Sequence, residues 1–217
     1  MIECVLFDLD GTIVNTNELI INSFMYTLEQ HALPALTREQ MIPYMGTSLP
    51  AQLRSFTNLE DVSPLEASYR RYQTEHHDEL IKSFPNVNET LEVLRGRGIK
   101  LGVVTTKIRP NTIRALEMFD LKQYMDTVVT LDDVEKIKPH AEPVLTAVGN
   151  LGVSPEKTLM VGDSPVDIQS GKNAGVLTAA VAWSLKGEEM LGQYEPDFIL
   201  QDMTDLYDIV GGSGTSL

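Results

Sequence analysis

One cysteine, one tryptophan and no membrane-length apolar run leave this 217-residue chain few of the special scaffolds. A lone cysteine, Cys4, excludes an internal disulfide framework and a cysteine-rich zinc site. Inside an apolar stretch it reads as a core residue, and a reducing cytoplasm is the expected compartment. No run of about 18 apolar residues is present, so no membrane partner is expected. The N-terminus lacks the basic, then apolar, then small-residue pattern of a secretory signal. Positive charge is scarce as well. Lys and Arg number 17 against 31 Asp and Glu, a net charge of −14. Nucleic-acid binding needs basic surface to neutralise phosphates, so no nucleic-acid partner is expected. A small phosphate substrate stays admissible if a divalent metal and a few lysines supply charge locally. The hydrophobic content of 42% and charged content of 22% fit a globular chain. The length suits one large domain, or a core with a smaller insert.

The apolar run Ile2–Phe7 reads as a buried strand, and Asp8-Leu9-Asp10-Gly11-Thr12 follows it directly. No short return to a second strand comes next. Residues 15–82 read as helices with little strand character. Asn17 to Gln30 carries a helical stripe of Leu19, Ile20, Phe24 and Leu28. Thr37-Arg38-Glu39-Gln40 and Ser63-Pro64-Leu65-Glu66 match the capping-box pattern. Leu65 to Leu80 predicts a polar helix with a thin apolar face. So long a segment with its own pattern is a helical insert domain rather than a loop.

From Pro85 onward strands and helices alternate. Helices are predicted over Glu89–Arg97 (with Gly98 as the stop), Pro110–Phe119, Glu142–Leu151 and Pro165–Ala174. Strands are predicted over Ile99–Thr105, Thr127–Thr130, Thr158–Gly162, Leu177–Ala182 and Phe198–Leu200. This alternation predicts an α/β fold whose parallel sheet is covered on both faces. The tail Gly211-Gly212-Ser213-Gly214 is expected to be flexible.

Four polar elements follow or lie near the predicted strand ends, where open parallel sheets bind ligands. Asp8 and Asp10 form either a nucleophile with a proton carrier or a solvated acidic turn. Thr105 either caps the next helix or, with the following backbone N–H of Thr106, holds a phosphoryl oxygen. Lys138 by itself is compatible with an ordinary surface lysine, and Asp163 with a helix cap. All four at one sheet edge make a fuller set. Asp8, the Asp10 carbonyl and Asp163 offer hard oxygen ligands suited to Mg²⁺. Lys138 and the metal would offset the carboxylates and an incoming phosphoryl group, which is the equipment of phosphoryl transfer.

Asp8-Leu9-Asp10-Gly11-Thr12, Val103-Val104-Thr105-Thr106, Lys138-Pro139 and Gly162-Asp163 with Asp167 resemble, in order, the four motifs of the haloacid-dehalogenase superfamily. The resemblance implies a three-layer Rossmann-like core over 1–14 and 83–217, with a helical cap over 15–82 that opens and closes. It implies that Asp8 attacks phosphorus to form an aspartyl-phosphate, and that Asp10 protonates the leaving oxygen and then activates water. Thr105 and Thr106 would hold the phosphoryl group, and Lys138 would steady Asp8 and the phosphate charge. Asp163 would bind Mg²⁺, with Asp167 orienting the ligands. Asp10 argues for phosphatase rather than dehalogenase chemistry, because a halide leaves no oxygen to protonate. Three positions depart from the common pattern: Asn15-Thr16 near the cap hinge, Thr106 where asparagine is frequent, and Lys138-Pro139-His140-Ala141-Glu142-Pro143, which lacks a second proline.

Met45-Gly46-Thr47-Ser48-Leu49-Pro50 resembles the cap loop that reaches toward the substrate. Gly46 would permit close backbone approach, although a simple interhelix turn fits equally. Arg54 is the nearest cap cation, with a surface role favoured. Adjacent His76 and His77 point to different faces of a helix, so a metal site there is disfavoured. Asn17-Glu18-Leu19-Ile20 and His76 to Leu80 resemble a group of inorganic pyrophosphatases related to phosphoglycolate phosphatases. That likeness implies Mg²⁺-dependent cleavage of pyrophosphate into two phosphates. A phosphoglycolate-type or other small-monoester phosphatase is the nearest alternative. A sugar phosphomutase or a non-catalytic phosphate-binding regulator stands further off.

Overall fold

The computed structural model describes residues 1–211. In chain order the elements begin with β1 (Cys4–Phe7), β2 (Val14–Asn15), α1 (Asn17–Gln30), α2 (Arg38–Met41), α3 (Leu49–Thr57), α4 (Ser63–Leu80) and β3 (Lys82–Ser83). They continue with α5 (Val87–Gly96), β4 (Lys100–Val104), α6 (Arg109–Met118), β5 (Thr127–Val129), α7 (Glu142–Leu151) and β6 (Thr158–Gly162). The last are α8 (Pro165–Ala174), β7 (Leu177–Val181), α9 (Glu188–Gly192), β8 (Phe198–Leu200) and α10 (Leu206–Gly211). Among the described residues, six strands form a parallel sheet in the order β5-β4-β1-β6-β7-β8. β1 is therefore central, with β4 and β6 on either side.

Alternation along the strands divides the core into two layers. Val5 and Phe7 join Leu101, Val103, Leu159 and Val161 on one face, under Leu91 and Leu94 of α5, Leu116 of α6 and Leu206 of α10. Cys4 and Leu6 face the other way with Met160, under Val144, Ala147 and Val148 of α7. The result is an α/β/α Rossmann-like core, as the alternating pattern predicts. Cys4 is buried, and burial pushes its thiol up to about 12, which keeps it unreactive.

Helices α1 to α4 have a core of their own. Ile21, Phe24 and Leu28 of α1 pack with Met41, Met45, Leu53, Leu65 and Tyr69. Phe24 holds Phe56 edge-on at 4.9 Å between ring centres and Tyr69 at 4.7 Å. Two short crossings join this layer to the sheet. Val14–Asn15 pairs antiparallel with Lys82–Ser83, a ribbon that the helical reading of 15–82 does not foresee because its strands are two residues long.

Other differences are local. The Thr37/Gln40 capping box forms, with Thr37 N donating to Gln40 Oε1 at 2.8 Å and Gln40 N to Thr37 Oγ1 at 3.4 Å. The Ser63/Glu66 box does not. Ser63 is already the first residue of α4, and Asp61 Oδ1 accepts its N–H at 3.0 Å. α5 starts two residues before Glu89, while β1, β4, β5 and β7 are one or two residues shorter than predicted. α9 and α10 go unforeseen, being five and six residues long. Gly211 closes α10 rather than opening the tail, and the expected tail residues Gly212, Ser213 and Gly214 lie outside the described residues.

Candidate active site

The C-terminal ends of β1, β4 and β6 bring the predicted residues together. Backbone bonds fix the starting points: Asp8 N donates to Val161 O at 2.9 Å, and Thr105 N to Val129 O at 3.0 Å. Gly11 adopts φ +81°, which turns the chain beneath Asp163. A Cβ at Gly11 would lie 2.5 Å from Asp163 Oδ2. On α8, Asp167 Oδ2 accepts from Ser164 N at 3.0 Å and Ser164 Oγ at 2.5 Å, while Oδ1 faces Lys138. Gly162 is required for this, because any Cβ there would overlap the Asp167 side chain.

Lys138 is 2% exposed. Its Nζ donates to Asp8 Oδ1 at 2.7 Å, Asp167 Oδ1 at 2.5 Å and Val104 O at 2.9 Å. Those three bonds use all three ammonium hydrogens. Lys138 thus stands behind Asp8 rather than on the cavity wall. Asp8 Oδ1 is held, and its second oxygen has no donor among the described residues.

The electrostatics follow from surplus negative charge in a dry place. Burial pushes the Asp8 carboxyl well above its ordinary range, Lys138 opposes the shift, and Asp167, Asp163 and Asp10 add to it. Burial also pushes Asp163 up to about 6, with Lys186 pulling the other way. Burial disfavours the Lys138 ammonium, yet Asp167 and Asp8 outweigh it and hold it above the usual lysine value. The lysine is therefore charged, and among the described residues it is the one ammonium in contact with Asp8 and Asp167, while Lys186 acts on Asp163 without a hydrogen bond.

Oxygens of Asp8, Asp163 and Asp167 lie within 4.8 Å of one another. Asp163 is 7% exposed, and its carboxylate meets no hydrogen-bond donor among the described residues. A buried carboxylate left without a donor fits a divalent cation, which restores the missing positive charge. Asp167 has both oxygens committed to Lys138 and Ser164, which suits it to orienting its neighbours.

A cavity of about 100 Å³ opens over these groups. Asp8, Asp10, Thr105, Thr106 and Asp163 form its floor, and Met45, Gly46, Gln52, Tyr69 and Gln73 of the helical layer close it from above. Gly46 adopts φ +102° and sits so close to Ser164 that a Cβ would lie 2.9 Å from its Oγ. Thr106 Oγ1 donates to Gly46 O at 3.4 Å. The loop therefore touches the sheet edge that carries Thr106 and Ser164.

Arg54 is exposed and donates to Glu60 O at 3.2 Å, away from the cavity. His77 is buried beside Asp78, with 2.7 Å from Nδ1 to Oδ1, whereas His76 is half-buried near Glu79, so these two histidines do not face a common point. Lys107, Arg70, Tyr69 and Gln73 line the cavity without having been singled out from the sequence. The signal for two of them was present. Leu65, Tyr69, Gln73 and His77 recur every fourth residue and are the buried face of α4, a row in which only Leu65 is aliphatic.

The model of the haloacid dehalogenase-like hydrolase family matches residues 5–181. The chain is 46% identical over 217 residues to a protein named pyrophosphatase PpaX from Bacillus cereus (strain AH820), covering 99% of each. It is 46% identical over 209 residues to a pyrophosphatase PpaX from Bacillus mycoides, covering 96% of this chain and 97% of that one. Among solved structures, a predicted phosphoglycolate phosphatase from Haemophilus somnus superposes with a TM-score of 0.87 at 26% identity, covering 96% and 97% of the two chains. A haloacid dehalogenase-like family protein from Streptococcus pneumoniae shares the fold, with a TM-score of 0.86 at 23% identity and coverage of 96% and 98%. With the motifs gathered at one sheet edge and a family match over most of the length, this chain belongs to the haloacid dehalogenase-like hydrolases.

Proposed function

We propose that this chain is a Mg²⁺-dependent phosphohydrolase that cleaves inorganic pyrophosphate through an aspartyl-phosphate on Asp8. The observation that carries the chemistry is Asp8 itself. One oxygen is tied to a saturated Lys138, and the other is free beside a cavity. The observation that favours the substrate is the near full-length 46% identity to proteins named pyrophosphatase.

The free Asp8 oxygen forms a bond to phosphorus, and the bridging P–O bond breaks with its electron pair leaving on oxygen. Asp10 gives that oxygen a proton. Water then attacks the aspartyl-phosphate, its proton passes to Asp10, and a second phosphate departs. The Thr105 hydroxyl and the Thr106 N–H hold the transferring oxygens. Lys138 fixes the orientation and charge of Asp8. Asp8, the Asp10 carbonyl and Asp163 would hold Mg²⁺, which supplies charge neutralisation at the phosphoryl oxygens. Residues 15–82 act as a cap over the 1–14 and 83–217 core, with the 14–15 and 82–83 ribbon as the hinge. A reducing cytoplasm suits the single buried thiol.

The test is to compare turnover of pyrophosphate, phosphoglycolate and a panel of sugar phosphates with Mg²⁺ present. Pyrophosphate should give the highest kcat/KM, with two phosphates released per turnover. Preference for phosphoglycolate would favour the reading suggested by the Haemophilus somnus structure and retire the pyrophosphatase assignment.

A further inference from the structure

Resting on the pyrophosphatase reading above, we propose that Lys107 binds the leaving phosphate and so selects substrates whose leaving group is itself a phosphate. Lys138 cannot do this, since its three donors are spent on Asp8, Asp167 and Val104 O. Lys107 lines the cavity, and among the described residues its ammonium meets one partner, Asp10 Oδ1 at 2.7 Å. Two ammonium hydrogens therefore remain for a ligand. Its position is secured by the backbone. Lys107 N donates to Thr105 Oγ1 at 3.2 Å, and Lys107 O accepts from Leu131 N at 3.1 Å.

The placement relative to chemistry follows from Asp10. The leaving oxygen must come within about 3 Å of the Asp10 carboxylate to take its proton. Lys107 Nζ is already 2.7 Å from that carboxylate, so the ammonium and the leaving group share one small space. An uncharged alcohol leaving there gains little from a cation. A phosphate gains charge-assisted hydrogen bonds and relief of the charge that builds on it as the bond breaks. Arg70 lines the same cavity from α4 and is only loosely held, at 3.4 Å from Glu66. A second cation is thus at hand for the same anion, while the Met45–Pro50 loop contributes none.

The experiment measures kcat/KM of wild type, Lys107→Met, Lys107→Gln and Lys107→Arg on pyrophosphate and on the best-cleaved alkyl phosphate with an uncharged leaving group. Both substrates draw on Asp10, so damage to Asp10 alone lowers both together. The expected result is a loss on pyrophosphate of about 100-fold for Met and Gln, exceeding the loss on the monoester at least about tenfold. Arginine should recover most of the preference. The inhibition constant of imidodiphosphate should rise at least about tenfold in the Met or Gln variant, and that of single phosphate about threefold or less. Equal losses on the two substrates with parallel changes in inhibition would overturn the assignment and make Lys107 a positioning residue for Asp10. A wild type that leaves pyrophosphate intact but cleaves monoesters would instead remove the pyrophosphatase reading itself, and this inference with it.

Discussion

At Asp8 the fold tolerates a charge it would be more stable without. The carboxyl is buried beside Asp163 and Asp167, with Lys138 as the single opposing charge in contact. Asp8→Asn keeps the shape and removes one negative charge, so it should fold and melt no lower than wild type without metal. Its turnover should fall by about 10⁴-fold or more, because an amide oxygen does not form the covalent intermediate. Thermal melting beside steady-state rates checks both halves, and substantial residual activity would reject Asp8 as nucleophile. Gly162→Ala tests the scaffold one shell out. The new methyl overlaps Asp167, so Lys138 loses its register and stability should drop by about 1–3 kcal/mol, readable in urea unfolding. Asp8, Asp10, Thr105 and Asp163 were legible in the sequence because each follows or neighbours an apolar run that has to be a strand, and Lys138 was legible through the Lys138-Pro139 motif. Lys107 was not, because nothing local distinguishes a cavity lysine from a surface one.

Among the elements, α4 has the least ordinary interior face. Tyr69, Gln73 and His77 are buried where aliphatic residues would normally sit. Gln73 Nε2 donates to Tyr69 OH at 2.9 Å, while His77 Nε2 has no partner among the described residues. Burial lowers the His77 pKa from its ordinary 6.5, with Asp78 opposing. The sign follows directly. Below 6.5 the unfolded chain takes up a proton that the folded chain refuses, so stability falls as pH drops from 6.5 through the lowered value. His77→Gln should therefore lose less melting temperature than wild type between pH about 7.5 and about 5.5. Identical losses would show that His77 stays protonatable in the fold. The length and helicity of α4 were legible from its proline start and long polar run. The direction of its polar row was not, since a thin apolar face resembles a solvated helix until α1 and the cavity lie against it.

For the whole molecule, the decisive quantity is the charge balance where β1, β4 and β6 end. Three carboxylates within 4.8 Å, with one ammonium in contact among the described residues, leave a deficit of positive charge that Mg²⁺ would correct. Saturating Mg²⁺ at about 100 times its dissociation constant should add about 2.7 kcal/mol, or roughly 5–10 °C in melting temperature for a chain of this size. EDTA should reverse the shift and stop turnover, whereas Asp163→Asn should abolish the stabilisation. A melting temperature indifferent to Mg²⁺ would count against the site.

The sequence by itself determined the α/β alternation and which polar residues stand at the strand ends, because strand ends and helix stops are set by local pattern: Gly98 and Gly152 follow helices with positive φ. Tertiary structure alone decided which cation is committed and which is available. Lys138 is marked in the sequence by the Pro139 beside it and Lys107 is not, yet neither pattern tells how many of a lysine's donors are used. Only the crossing of β1, β4 and α8 engages every donor of the first, and only the helical layer folding over Asp10 confines the second to a cavity. Hydrogen-bond saturation depends on neighbours brought from far along the chain, and no local pattern encodes it.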